Sequence, residues 1–279
     1  MSFPVESQTI KVPGASLYYE ATGQGPLLLI IPGGPQDAGL FADMAQRLAH
    51  RYRVVAYDPR GNSRSTFDGE EQPLDLDVLG DDAAHLIASL GNGPAHVFGT
   101  SGGAQIGLNL AARHPVRVAT LVAHEPPTVM LLDDPSEALA GNRSIVETFH
   151  RDGVEAAMGL FFSMNGLDMD GPPDAPPPEE MPPEAVEAFA RISANFPYWL
   201  AHGIEALSLY KPETEVLASG RPRVVVALGE RSQGQPIYAM GSALALRLGI
   251  EPTPFPGDHV GYETDPEAFV AALERQLAP

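Results

Sequence analysis

Hydrophobic positions along this chain fall into short continuous runs separated by stretches with helical spacing. The runs are PLLLIIP (26–32), YRVVAYD (52–58), AHVFGT (95–100), VATLVAH (118–124) and RVVVALG (223–229). Runs this short and this apolar suit strands buried on both faces. Ahead of them, residues 8–13 and 17–21 flank a Pro-Gly-Ala-Ser turn and read as an antiparallel hairpin. Amphipathic helical stretches lie near 37–50, 76–91, 102–113, 236–248 and 265–277. Strand and helix in alternation predict an α/β fold, a mostly parallel twisted sheet flanked by helices on both faces.

One segment breaks the alternation. Between His124 and Arg223 no clear strand pattern occurs, only helical pieces near 137–163 and 184–209 around the proline-rich, acidic stretch 171–185. Such a stretch suits neither a helix interior nor a central strand. The expected organisation is a core domain of residues 1–126 and 216–279, with a helical cap of residues 127–215 inserted after the sixth strand-like run. A linker between two domains is disfavoured, because the run at 223–229 needs the earlier sheet as its partner.

Composition narrows the chemistry. The chain has 279 residues, 36 acidic against 17 basic, and a formal net charge of −19. With 44% hydrophobic residues it can build a large core. The acidic balance opposes binding to nucleic acid or to anionic membranes. With no cysteine, a thiolate metal site and a Cys nucleophile are excluded. The segment MSFPVESQTI lacks a basic region followed by an apolar one, and Leu27–Ile31 is too short to span a bilayer, so a cytoplasmic protein is expected.

Gly99-Thr100-Ser101-Gly102-Gly103 matches G-x-S-x-G between a strand-like run and an amphipathic helix. That context suits a sharp turn holding the Ser101 hydroxyl above the sheet as a nucleophile, with small residues two before and two after relieving the crowding. The helix N-terminus leaves free N–H groups there, that of Gly102 included, aimed where an oxyanion forms.

At this point the chain resembles the α/β-hydrolase superfamily over essentially its whole length. Ile31-Pro32-Gly33-Gly34-Pro35 stands where that family has its oxyanion loop, although Pro32 replaces the usual His. The resemblance implies a backbone donor role for Gly34, with Gly33 as the other candidate. Residues 57–65 (YDPRGNSRS) resemble the turn after the fourth strand, and Gly257-Asp258-His259 the terminal catalytic loop. Of eight histidines, only His259 lies in a glycine-rich loop after the last strand-like run, following Ser101 in chain order as the family requires. It is the expected general base. The position where most members carry the catalytic acid is Ser232, which cannot offset an imidazolium. Some members place the acid directly after the sixth strand, and Glu125 stands there in VAHEPPT. Glu125 is the first candidate acid, with Glu230 and Asp258 as alternatives.

The combination of GTSGG, AHEPP and GNSRS is most similar to the zearalenone lactonases, serine hydrolases that open a macrocyclic lactone without a cofactor. The resemblance implies an ester or lactone hydrolase, an apolar or aromatic small-molecule substrate, and cap residues at the pocket. Trp199, Phe161, Tyr198 and His202 are the candidates. The alternatives are a proline iminopeptidase-like enzyme, a C–C bond hydrolase, or a non-catalytic ligand receptor. No H-E-x-x-H, P-loop or strand-borne G-x-G-x-x-G occurs, so no cofactor or metal is expected, and a homodimer is compatible with the sequence.

Overall fold

A computed structural model describes residues 2–91, 93–166 and 183–278. The sheet is built from β1 (Val5–Val12), β2 (Ala15–Thr22), β3 (Leu27–Ile31), β4 (Arg53–Tyr57), the two-residue β5 (Thr66–Phe67), β6 (Ala95–Thr100), β7 (Val118–His124), β8 (Arg223–Gly229) and β9 (Thr253–Phe255). Its order is β1-β2-β4-β3-β6-β7-β8-β9, with β5 pairing β2. The opening hairpin and the β2–β4 pair are antiparallel, and every pair from β4 to β9 is parallel. This is the expected mostly parallel sheet. β9 escapes the hydrophobic pattern because it has only three residues, Pro254 among them.

Alternate residues of the central strands feed two apolar clusters, one on each face. Leu29 and Ile31 join Val97, Leu121 and Val226 under α2 (Leu76–Leu90), α3 (Gly102–Arg113) and α9 (Pro236–Leu248). Leu28 and Ile30 join Phe98 and Val122 under α1 (Ala42–Leu48) and α10 (Pro266–Leu277).

The helical stretch expected near 137–163 is two helices, α4 (Ser136–Asp152) and α5 (Val154–Met164). They part at Gly153, whose φ of +89° no helix interior allows. The stretch expected near 184–209 divides as well. α6 (Pro183–Ser193) is followed by α7 (Phe196–Tyr198), a π-turn (Trp199–Gly203) and α8 (Ile204–Leu209). α6 takes in the last three residues of the stretch read as a proline-rich loop over 171–185, and its other residues lie outside the described ones. Buried Gln105 of α3 ties this helix to the segment between β7 and β8, donating to Leu207 O at 2.9 Å and Pro127 O at 3.1 Å. Among the described residues, no helix is long and apolar enough to cross a membrane.

Candidate active site

β6 ends at Thr100 and α3 begins at Gly102, so Ser101 alone forms the connection. Among the described residues three non-glycines have positive φ: Ser63 (+48°), Ser101 (+53°) and Glu125 (+44°). Such conformations cost about 1–3 kcal/mol each and persist where the surroundings over-determine them. Around Ser101 the crowding is explicit. A Cβ on Gly99 would lie 2.4 Å from Gly103 O, and one on Gly103 only 2.1 Å from Ile31 O. Gly103→Ala is therefore expected to cost about 3 kcal/mol, a backbone clash that no rotamer relieves. Gly69→Ala, with nothing within 4 Å of the added methyl, serves as the neutral comparison in thermal unfolding.

Glu125 follows β7 and is completely buried. Its Oε2 lies 2.8 Å from His259 Nδ1, and its Oε1 accepts the Gly229 N–H at 2.8 Å. Burial pushes this carboxyl up, but the hydrogen bond from His259 and the polarity of the neighbouring imidazoles outweigh it and hold the group at about 2. The two alternative acids sit elsewhere. Glu230 is exposed, and Asp258 turns its Oδ1 to Val260 N at 3.1 Å. Ser232, at the usual acid position, is fully buried.

His124 packs behind His259, the two rings nearly parallel with centroids 6.3 Å apart. Thr100 Oγ1 sits 3.0 Å from its Nδ1. Burial, with a further contribution from His259, outweighs the opposing effect of Glu125 and pushes His124 down to about 3, leaving a neutral ring.

The Gly33–Gln36 turn faces Ser101 across the end of the sheet. A Cβ on Gly33 would meet Ser101 Cβ at 2.8 Å, and one on Gly102 would meet Gly34 N at 3.3 Å. The N–H groups of the two candidate oxyanion donors, Gly33 and Gly34, have different surroundings. Gly33 N–H is taken by Gln36 Oε1 at 3.1 Å, and Gln36 Nε2 donates onward to Tyr262 Oη at 2.8 Å, three residues beyond His259. Gly34 and Gly102, by contrast, both line the cavity beside Ser101. Asn62 Nδ2 holds the carbonyls of Gly34 and Gln36, each at 3.0 Å.

Ser101, His259, Gly34 and Gly102 open onto one cavity of about 360 Å³, walled by Val129, Phe161, Trp199, Ile204, Leu207 and Met240 among others. This size falls within the range of small-molecule sites. Trp199 and Phe161 meet edge to face, centroids 4.9 Å apart. The buried Trp199 Nε1 has no partner among the described residues. Asp134 and Glu137, both exposed, stand at the open rim.

Two residues expected at the pocket lie away from this cavity. Tyr198 Oη donates to Gln72 O at 3.0 Å, and His202 Nε2 lies 3.2 Å from Glu71 Oε1. Both side chains face the core turns beyond the cavity and line none of it. The reason is helical: residues four apart share a face, whereas Trp199, one residue on, is turned away by about 100°. Gln36, Asn62 and the cavity wall from Gln235 to Met240 carried no signal in the sequence, since polar pegs and apolar linings have no spacing of their own.

Comparison with known proteins places the chain among hydrolases. A family model described as the alpha/beta hydrolase fold matches residues 26–165. An uncharacterized hydrolase of Bacillus subtilis (strain 168) is 32% identical over 277 residues, covering 98% of this chain and 96% of the relative. A zearalenone hydrolase of Cladophialophora bantiana is 26% identical over 270 residues, covering 95% and 94%. Among solved structures, a hydrolase from Pseudomonas aeruginosa PA01 superposes with a TM-score of 0.74 at 22% identity, covering 98% of this chain and 99% of that one.

Proposed function

The chain belongs to the α/β-hydrolase fold family, and on that premise we propose that it is a serine hydrolase that cleaves a carboxylic ester, a lactone in the first place. One observation carries the reading: a fully buried carboxylate on the Nδ1 of His259, in a loop that opens with Ser101 onto the same apolar cavity.

In this reading Ser101 Oγ attacks the carbonyl carbon while His259 Nε2 takes its proton. The Gly34 and Gly102 N–H groups receive the developing oxyanion, an effect worth about 3–4 kcal/mol per donor in comparable sites. His259 then protonates the leaving alkoxide, which in a lactone stays attached to the acyl group. Next it draws a proton from water, and the hydroxide formed releases the acid from Ser101. Glu125 keeps the Nδ1 proton in place and stabilises the imidazolium.

The wall also bears on the substrate class. Among the described residues its ionisable side chains are Asp134, Glu137 and His259, with no Lys or Arg. Neutral apolar esters are therefore the expected substrates, and a zearalenone-type macrolactone is the first to test, supported by the likeness to the Cladophialophora enzyme. An ester carrying a free carboxylate is expected to have a kcat/KM at least tenfold below that of its methyl-ester analogue. The reverse order would remove the charge part of the reading. The activity itself is tested by a fluorophosphonate, expected to attach to Ser101 alone as located by mass spectrometry, alongside a panel of macrolactones, aryl esters and prolyl amides with the Ser101→Ala protein as blank. A folded protein that takes up no label overturns the serine-hydrolase reading, and prolyl amides turned over faster than esters would move it to a peptidase.

A further inference from the structure

Beside the Gly33–Gln36 turn the cap meets the core along a stripe of side chains, Arg191, Asn195, Tyr198 and Trp199, and three of them lie against core glycines. A Cβ on Gly39 would come within 2.7 Å of Arg191 Nη2, one on Gly61 within 2.6 Å of Tyr198 Cε1, and one on Gly34 within 3.4 Å of the Trp199 ring. Asn195 sits among these contacts, 4% exposed, and uses both ends of its amide. Its Oδ1 accepts the Ser63 N–H at 2.7 Å, and its Nδ2 reaches Pro35 O at 2.7 Å and Ser63 Oγ at 2.9 Å. Arg191 completes the seam with an ion pair to fully buried Asp37, whose Oδ2 also accepts the Ser63 hydroxyl at 3.0 Å.

These bonds land on the turn that carries Gly34. Every carbonyl of the Gly33–Gln36 turn has a donor: Gln36 N for Gly33 O, Asn62 for Gly34 O and Gln36 O, and Asn195 for Pro35 O. Three of the four donations come from the core, and the one in the middle of the turn comes from the cap. Two consecutive glycines leave the turn soft, so its outer bonds decide where the Gly34 N–H points. A donor is useful to a transition state only if it is already aimed when charge develops.

We propose that Asn195 is a positioning residue supplied by the cap. By holding Pro35 O and Ser63, it keeps the turn in the form that presents the Gly34 N–H to the reacting oxygen. Docking of the cap and completion of the oxyanion hole are then a single event. This inference rests on the serine-hydrolase reading.

The test uses p-nitrophenyl acetate, an ester with too small an acyl group to depend on cap contacts, and compares the wild type with Ser101→Ala, Asn195→Ala and Arg191→Gln. Asn195→Ala is expected to lower kcat about tenfold, with KM changed less than twofold and the rate of phosphonylation by a fluorophosphonate falling in parallel. Its thermal midpoint identifies a folded variant. Arg191→Gln loosens the same seam without touching the amide and is expected to show a smaller loss, again in kcat; it decides the matter if Asn195→Ala does not fold. An unchanged kcat, or a loss confined to KM, overturns the positioning role. Wild-type activity in Ser101→Ala rejects the serine-hydrolase reading instead, so the two failures are told apart.

Discussion

Ser101→Ala is expected to fold normally and to lose about 10⁴- to 10⁶-fold of its ester turnover. The size follows from the division of labour at the site. Without the hydroxyl no acyl-enzyme forms, and His259 and Glu125 have no nucleophile to serve. What remains is the background from the N–H donors and from holding the ester beside water. The backbone at this position makes a companion variant informative. Ser101 sits at φ +53°, where a Cβ is strained and glycine is not. Ser101→Gly is expected to be as inactive as Ser101→Ala yet more stable than wild type, by about 1 kcal/mol in urea unfolding. Residual turnover within tenfold of wild type in either variant rules out the nucleophile assignment, and a Ser101→Gly protein less stable than wild type rules out the strain.

Glu125→Gln is expected to lower kcat by about 10⁴-fold while KM stays near its wild-type value. The amide still fits the space and can still accept the Gly229 N–H. Its NH₂ group, however, faces His259 Nδ1 and demands an acceptor there, which moves the ring proton to Nε2, where a base needs a lone pair. The same substitution has a signature in acid. The carboxyl is held at about 2 against an ordinary 4.5, so it stabilises the folded chain fully above pH 4.5 and loses that contribution as the pH falls toward 2. The stability gap between wild type and Glu125→Gln is expected to narrow over that window in urea titrations. A loss of activity below tenfold would take the acid role from Glu125 and pass it to Asp258, which shares the His259 loop; Glu230, exposed, is placed poorly for it.

The sheet was readable because its central strands are buried on both faces and appear as unbroken apolar runs. β9 was not, since a three-residue strand containing a proline has neither length nor period. The elements around Ser101 were readable for a different reason. A strand-to-helix connection one residue long demands glycines at fixed offsets, and Gly99 and Gly103 stand at those offsets with contacts that forbid anything larger. Glu125 could be placed after β7 from its chain position, but its bond to His259 spans 134 positions and no local pattern encodes it. The cap was the least legible part. Its aromatic content showed that something apolar is enclosed, but the direction of each side chain depends on helix phase, which the break at Gly153 and the π-turn at Trp199–Gly203 reset. Hence Trp199 and Phe161 reach the cavity, and Tyr198 and His202 do not.

The carboxylates at the cavity mouth bear on what leaves as much as on what enters. The Arg191–Asp37 pair and Asn195 close the seam between α6 and the Gly33–Gln36 turn, so among the described residues Asp134 and Glu137 mark the open side. On the proposed reading, ester hydrolysis turns a neutral molecule into an anion in front of Ser101. Departing past two carboxylates, on a chain of net charge −19, that anion moves down an electrostatic slope. Product inhibition should accordingly be weak at low ionic strength and strengthen as added salt screens the rim, the opposite of the salt response of an enzyme that holds its product acid with an arginine.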